Sequence, residues 1–325
     1  MKQPDAHARR APVRGRPLSV GDAFFGPAEG FWALAGAVLR GVGKTLVEAW
    51  RWFWAAQHRL PTPSAWTGYE LRLALAPDGP AHLTFWVSAF SPDEAQANRV
   101  AGERLRWALA TLPQYWQARQ LSHTEMAPAR GETPPWLGVL TREPGGRHGE
   151  ARAQADMRPP APTPWRPSPP KGRWAALLTG PGEPVWLGLA VTPTVLWPAE
   201  AHRVTTWSQP MGPCPDPAAA RWRAWQRRHA RPFLARLRVG TRSPDALAWG
   251  LQALVAALTA TPPARARAWT PRNERDRSLA QANWQRGTLH PWETWPLPAD
   301  RHRLPYLFAA DDLAHLTLLL TGALP

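Results

Sequence analysis

Apolar and polar positions alternate over Leu71, Leu73 and Leu75, with Arg72 between them, and alternation returns from Leu83 to Phe90. A period of two marks a strand with one buried face. Pro77-Asp78-Gly79-Pro80 divides the runs with turn residues, so the pair predicts a β-hairpin. Ser91-Pro92-Asp93-Glu94 then opens a helix: Ser91 caps, Pro92 takes the first helical position and Glu94 completes a capping box. The helix runs through Val100, Leu105, Trp107 and Leu109 and stops before Pro113.

The unit recurs. Val87 to Asp93 aligns with Val239 to Asp245, and each copy places Ser-Pro-Asp between an alternating strand and an Ala/Leu-rich helix. In the second copy the strand is Phe233 to Val239, and the helix passes Leu247, Leu251, Leu254 and Leu258 to Pro262. The shared order of strand, cap and helix predicts a duplication.

Elsewhere the pattern changes period. Leu34, Val38, Val42, Leu46 and Phe53 recur at helical spacing, which predicts an amphipathic helix over 24–60 with Trp32, Trp50, Trp52 and Trp54 near its ends. Such a helix either lies on its own core or makes a peripheral contact with a membrane or partner. Residues 1–23 form a basic tail expected to be disordered. Residues 61–141 hold the first α+β repeat, 142–173 a Pro/Gly/Arg-rich linker, and 174–325 the second α+β region. Trp174 to Leu178 and Val185 to Val191 flank a Gly/Pro turn and read as a hairpin, and Asp216-Pro217 caps a helix to about His229. Residues 262–305 read as a loop with few apolar anchors. Asp311-Asp312 open a closing apolar helix, which must be buried somewhere, and internal burial is the favoured expectation.

Charge sharpens this picture. The net charge is +15, and it divides unevenly: 1–60 carries +5, 61–150 carries −1, 151–235 carries +7 and 236–325 carries +4. The chain has no isoleucine, three lysines and 21 tryptophans, so arginine is its general cation and one arginine alone says little. Cys214 is the single cysteine, which excludes an internal disulfide. No apolar run reaches the length of about 18 residues that a membrane span needs, and the N-terminus lacks a cleavable signal pattern. The expected location is cytoplasmic, with the inner face of the membrane as the variant that the 24–60 helix allows.

Candidate chemistry is sparse. Gly41-Val42-Gly43-Lys44-Thr45 imitates a phosphate-binding loop, but Val38 stands where the motif needs its first glycine, and the motif lies within the expected helix. The histidines show no paired ligand spacing, so no metal site, cofactor or catalytic residue is nominated. Asp311 and Asp312 read as helix N-terminal charges. The strongest signal is an acid-free run from Arg221 to Arg238. Within it Arg221, Trp222, Arg223, Trp225, Arg227, Arg228 and Arg231 are the candidate nucleic-acid-binding residues. Arginines facing one groove contact phosphates and tryptophans stack on bases; the competing reading is a solvated helix face. A second basic group, Arg265, Arg267, Arg272, Arg275 and Arg277, includes Trp269 but is diluted by Glu274 and Asp276.

The segment Leu304-Pro305-Tyr306-Leu307-Phe308-Ala309-Ala310-Asp311-Asp312-Leu313-Ala314-His315-Leu316 resembles the junction that closes the N-terminal α+β region of HerA/FtsK-like ATPases of conjugation and type IV secretion. In that family two related halves precede the motor domain, and the resemblance extends over about 66–325. It implies an α+β protein with two tandem ferredoxin-like repeats, acting without catalysis beside a separate motor ATPase subunit in DNA transfer. The motor's phosphate-binding loop has no counterpart here, so no catalytic residue carries over. The alternative is a stand-alone basic nucleic-acid-binding protein of another family, and a hydrolytic enzyme with an unrecognised site is the third class.

Overall fold

Phe31–Gly41 is a strand, β1, because Ala33, Ala35, Ala37 and Leu39 share one face at period two. The helical spacing of Leu34 and Val38 across the same stretch is incidental, and the expected 24–60 helix is corrected to β1 followed by a shorter helix α1, Val47–Ala56. The computed structural model describes residues 31–42, 45–59, 66–77, 79–142, 161–167, 174–260, 264–293, 302–322 and 324. The expected tail, most of the linker, and Gly43 and Lys44 lie outside the described residues.

The hairpin follows as β2 (Trp66–Leu75) and β3 (His82–Ser91). Helix α2, Glu94–Ala110, begins later than expected: Asp93 is its N-cap, accepting from the Gln96 amide at 2.6 Å, while the Ser91 hydroxyl accepts from the Asp93 amide. Strand β4 (Trp116–Gln120), helix α3 (His123–Arg130) and strand β5 (Trp136–Arg142) come next. Trp174–Leu178 is a short helix, α4, not the first arm of a hairpin. Strand β6 (Val185–Pro193) pairs with β2 and β7 instead. Helices α5 (Pro198–Ser208) and α6 (Pro217–Arg228) precede β7 (Phe233–Thr241), with Asp216 capping α6 as expected. Helix α7 (Pro244–Thr259) is capped by Ser243. The supposed loop after it contains β8 (Ala266–Trp269) and α8 (Glu274–Arg286), whose buried anchors Trp269, Ala280 and Trp284 are too widely spaced to show a period. Strand β9 (Leu307–Phe308) and helix α9 (Ala310–Thr321) close the chain.

Among the described residues the fold is α+β, with nine strands in one antiparallel sheet of order β4-β1-β3-β2-β6-β7-β5-β8 and β9 beside β7. The order reads alike from both edges. In each half a short edge strand leads to the first strand, then the third, then the second, and β2 joins β6 at the middle from Tyr69↔Val191 to Leu75↔Val185. Each half also places a helix between its first and second strands and a longer one between its third and fourth. The sheet is covered on both faces, so β2 is buried on nearly every residue, not on alternate ones.

One face is aliphatic, with Leu71, Leu73, Phe85, Leu187, Leu189 and Val239 packing under α1, α2, α7 and α9. Helix α9 lies on α1, where the Trp54 indole donates to Thr317 Oγ1 at 2.9 Å, so the last element of the second half covers the first. Internal burial of the closing helix is what the structure has. The opposite face carries Glu70, Arg72, Trp86, Arg236 and Arg238 and is covered in part by α8 and a tryptophan-rich cluster.

Candidate nucleic-acid interface and a buried arginine network

Helices α5 and α6 form a hairpin whose inward side is aromatic. Trp207 and Trp222 approach to 4.5 Å between ring centroids, Trp222 and Trp225 to 5.5 Å, and Trp225 stacks on the His229 ring at 4.1 Å. Trp222 and Trp225 are fully buried, which corrects the expectation that they stack on bases. Their spacing of three residues is a core stripe. The arginines differ in exposure. Arg221, Arg227 and Arg231 are exposed, whereas Arg223 and Arg228 are half-buried. Arg223 is committed to the hairpin, donating to the Ser208 carbonyl at 2.7 Å. Arg203 and His202 of α5 add to the exposed side. The two acids of the hairpin are spent elsewhere: Asp216 caps α6, and Glu200 is buried beside Arg303 at 3.5 Å. The outer side of the hairpin therefore presents cations without an exposed acid.

The rest of the run turns inward, because Arg236 and Arg238 occupy β7 and face the polar side of the sheet. Arg72 of β2, Gly188 of β6 and Arg238 of β7 lie in one cross-strand row. Glu70 fills the room above Gly188; a Cβ there would come within 2.8 Å of Glu70 Oε1. Arg72 donates to both Glu70 oxygens at 3.1 and 3.0 Å, and Arg130 stands 3.6 Å from the same carboxylate. Burial works against the charged Glu70, but Arg72, Arg238 and Arg130 outweigh it and hold its pKa below the usual carboxylate range. The same burial lowers Arg130 to about 9 and Arg238 to about 10.

Helix α8 ends over this cluster and supplies the acceptors the carboxylates do not. The Trp284 carbonyl accepts from Arg72 at 2.9 Å and Arg130 at 3.0 Å, and the Asn283 carbonyl accepts from Arg238. These carbonyls belong to the last turn of the helix, the negative end of its dipole, and that of Asn283 also accepts from the Gly287 amide at 2.9 Å. Arg236 has its own partner in Glu293 at 2.9 Å and lies over the Tyr306 ring.

A second buried set joins β5 to α9. Arg142 pairs with Asp312 at 2.9 Å, and the His229 ring lies 3.7 Å from the same carboxylate. Asp312 is thus a core ion-pair partner, beyond its expected role as a helix-terminal charge; Asp311 does remain at the surface, 3.6 Å from Arg166. Burial pushes His229 down to about 3, which keeps it neutral, while its Nδ1 contacts the Trp225 carbonyl at 2.9 Å.

The remaining candidates separate in space. Trp269 is buried, donating to Thr141 Oγ1 at 2.9 Å, with Arg267 over its ring. Arg277 pairs with Glu274 at 3.0 Å. Near them Trp136, Leu247, Pro271 and Arg277 line an open cleft of about 280 Å3. Strand β1 ends at Gly41 and α1 begins at Val47, so the motif does not lie within one helix as expected, and Thr45 Oγ1 accepts from the Trp116 indole at 2.8 Å. Among the described residues no group of three His, Cys, Asp or Glu could hold a metal ion, and no helix is long and apolar enough to cross a membrane. Helix α1 buries Trp50, Phe53 and Trp54 against the core and leaves Trp52 exposed.

Sequence reasoning missed Glu70, Arg72, Arg130, Arg142 and the inward role of Arg238. The signal was present in Glu70-Leu71-Arg72, where two opposite charges share one face of an otherwise apolar strand. No model of a known protein family matches the chain, and no curated protein shows significant similarity to it.

Proposed function

We propose that this protein binds nucleic acid without catalysis, through the phosphate backbone, on the outer side of the α5–α6 hairpin. The observation that carries this reading is the exposure of Arg221, Arg227 and Arg231 with no exposed acid on the hairpin. Cations spaced along one surface recognise phosphates regardless of base sequence, and the buried tryptophans leave no stacking platform there. DNA is the expected partner. The HerA/FtsK-like resemblance supports a place in a DNA-transfer assembly, with the motor ATPase on another polypeptide. Because α9 is occupied in this protein's own core, such a motor would have to meet a different surface.

The strand order of each half supports two ferredoxin-like repeats joined edge to edge, with α5 and α6 inserted where the first half has only a turn. On that reading the interface belongs to the inserted hairpin and not to the repeated frame.

The test is the anisotropy of a short labelled DNA duplex. Changing Arg221, Arg227 and Arg231 together to Gln should weaken binding about tenfold or more at moderate salt. Trp222→Phe should leave the affinity of the folded protein unchanged. Equal affinity in the triple variant would overturn the proposal, and loss of binding in folded Trp222→Phe would restore a stacking role.

A further inference from the structure

A small, narrow pocket lies between β5, β7 and α8, walled by Leu137, Val139, Arg236, Arg238, Trp284 and Trp292. It leaves about 10 Å3 in which a water-sized sphere can be centred, roughly the room of one small particle. Its polar wall is unusual in kind. Arg238 is 3% exposed, and its Nε and one terminal NH2 find no hydrogen-bond partner among the described residues. The indole N–H of Trp284, at 2% exposure, is likewise without a partner. These groups are all donors. Asn283, also in the wall, has its side-chain oxygen taken by Thr288 and the His290 amide, and its side-chain NH2 donates to the His290 carbonyl.

The charge around the space points the same way. Among the described residues Arg72, Arg130, Arg236 and Arg238 gather under α8 against two carboxylates, Glu70 and Glu293. Both Glu70 oxygens accept from Arg72, and Glu293 is held by Arg236. The carbonyls at the end of α8 offset part of the surplus, but a partial helix charge is about half a unit, so positive charge remains. Uncompensated buried charge is costly. A water molecule here would accept from the free donors, while no side chain lining the space offers an unpartnered acceptor for its protons; the unpartnered Glu293 Oε1 belongs to a residue outside the lining.

The geometry points to a binding site for a monatomic anion of chloride size, held by the free donors of Arg238 and Trp284. A halide accepts from several donors, donates nothing and balances the arginine surplus. Sulfate, phosphate and carboxylates are too large for the space. The site is internal and distinct from the α5–α6 surface, so it neither needs nor supports nucleic-acid binding.

The test compares thermal unfolding in sodium chloride and sodium gluconate at equal ionic strength. The wild-type Tm should rise with chloride and level off, as for a saturable site, and Arg238→Met should remove the difference between the salts. Crystals soaked in bromide provide the direct readout, with an anomalous peak expected beside Arg238 and Trp284. If Arg238→Met fails to fold, the bromide experiment decides alone. A cavity that is empty or holds only water after the soak, with equal wild-type Tm values in both salts, would overturn the assignment.

Discussion

Arg72, Arg130 and Arg238 all act on the Glu70 carboxylate, which is 1% exposed. Removing one member of a buried charge set leaves the others uncompensated, which typically costs about 3–5 kcal/mol. Glu70→Gln keeps the shape and removes the charge, so its urea midpoint should fall by that amount, and a loss under about 1 kcal/mol would show the cluster to be solvated. His229 gives a pH signature. Its pKa is near 3 when folded and near its ordinary 6.5 when unfolded. Below pH 6.5 the unfolded chain binds a proton that the folded protein does not. The neutral-His contribution is therefore intact above pH 6.5 and is lost as pH falls toward 3, at a limiting slope of about 1.4 kcal/mol per pH unit. Asp312 and Glu70, held below their usual range, add further losses at the acid end. Urea midpoints from pH 7 to 4.5 should decline for wild type and flatten for His229→Gln; parallel curves would contradict the assignment.

At the scale of elements, capping and period fixed what they govern and misled where they compete. Asp216, Ser243 and the β2–β3 turn residues marked their elements correctly, because each acts through local hydrogen bonds or backbone preference. Strand β1 was hidden, since its core face is built from alanines that carry little hydrophobic contrast, while Leu34 and Val38 made an accidental helical spacing. Gly36 in β1 faces Trp86 across the sheet, and a Cβ there would meet that ring at 2.6 Å, a constraint that no local pattern announces. The closing helix α9 was legible as apolar, but its seat on α1 depends on long-range contacts. Leu316 is fully buried and Leu318 only partly. Leu316→Ala should cost about 2–5 kcal/mol and Leu318→Ala distinctly less. Similar denaturation midpoints for the two variants would mean that α9 does not pack as described.

Across the whole molecule, the matched segments at Ser91 and Ser243 each lie at the end of the third strand of a half in a sheet whose two halves read inward in the same order, although Asp93 caps the first helix and Ser243 the second. Their joining through β2 and β6 was not legible, because antiparallel edge pairing leaves no mark beyond apolar content. The arginine run was equally divided in meaning. Linear sequence placed Arg221 to Arg238 together, while the fold sends Arg221, Arg227 and Arg231 outward and Arg236 and Arg238 into the core. On the proposed reading only the outward set meets phosphate, and the slope of log K for DNA against log salt concentration, compared between wild type and the folded Arg221/Arg227/Arg231→Gln variant, separates that reading from a solvated face. Each lost phosphate contact on duplex DNA should reduce the slope by about 0.9, so the account predicts a reduction of roughly 3 units. An unchanged slope in the triple variant would contradict it and leave the α5–α6 arginines as a solvated face.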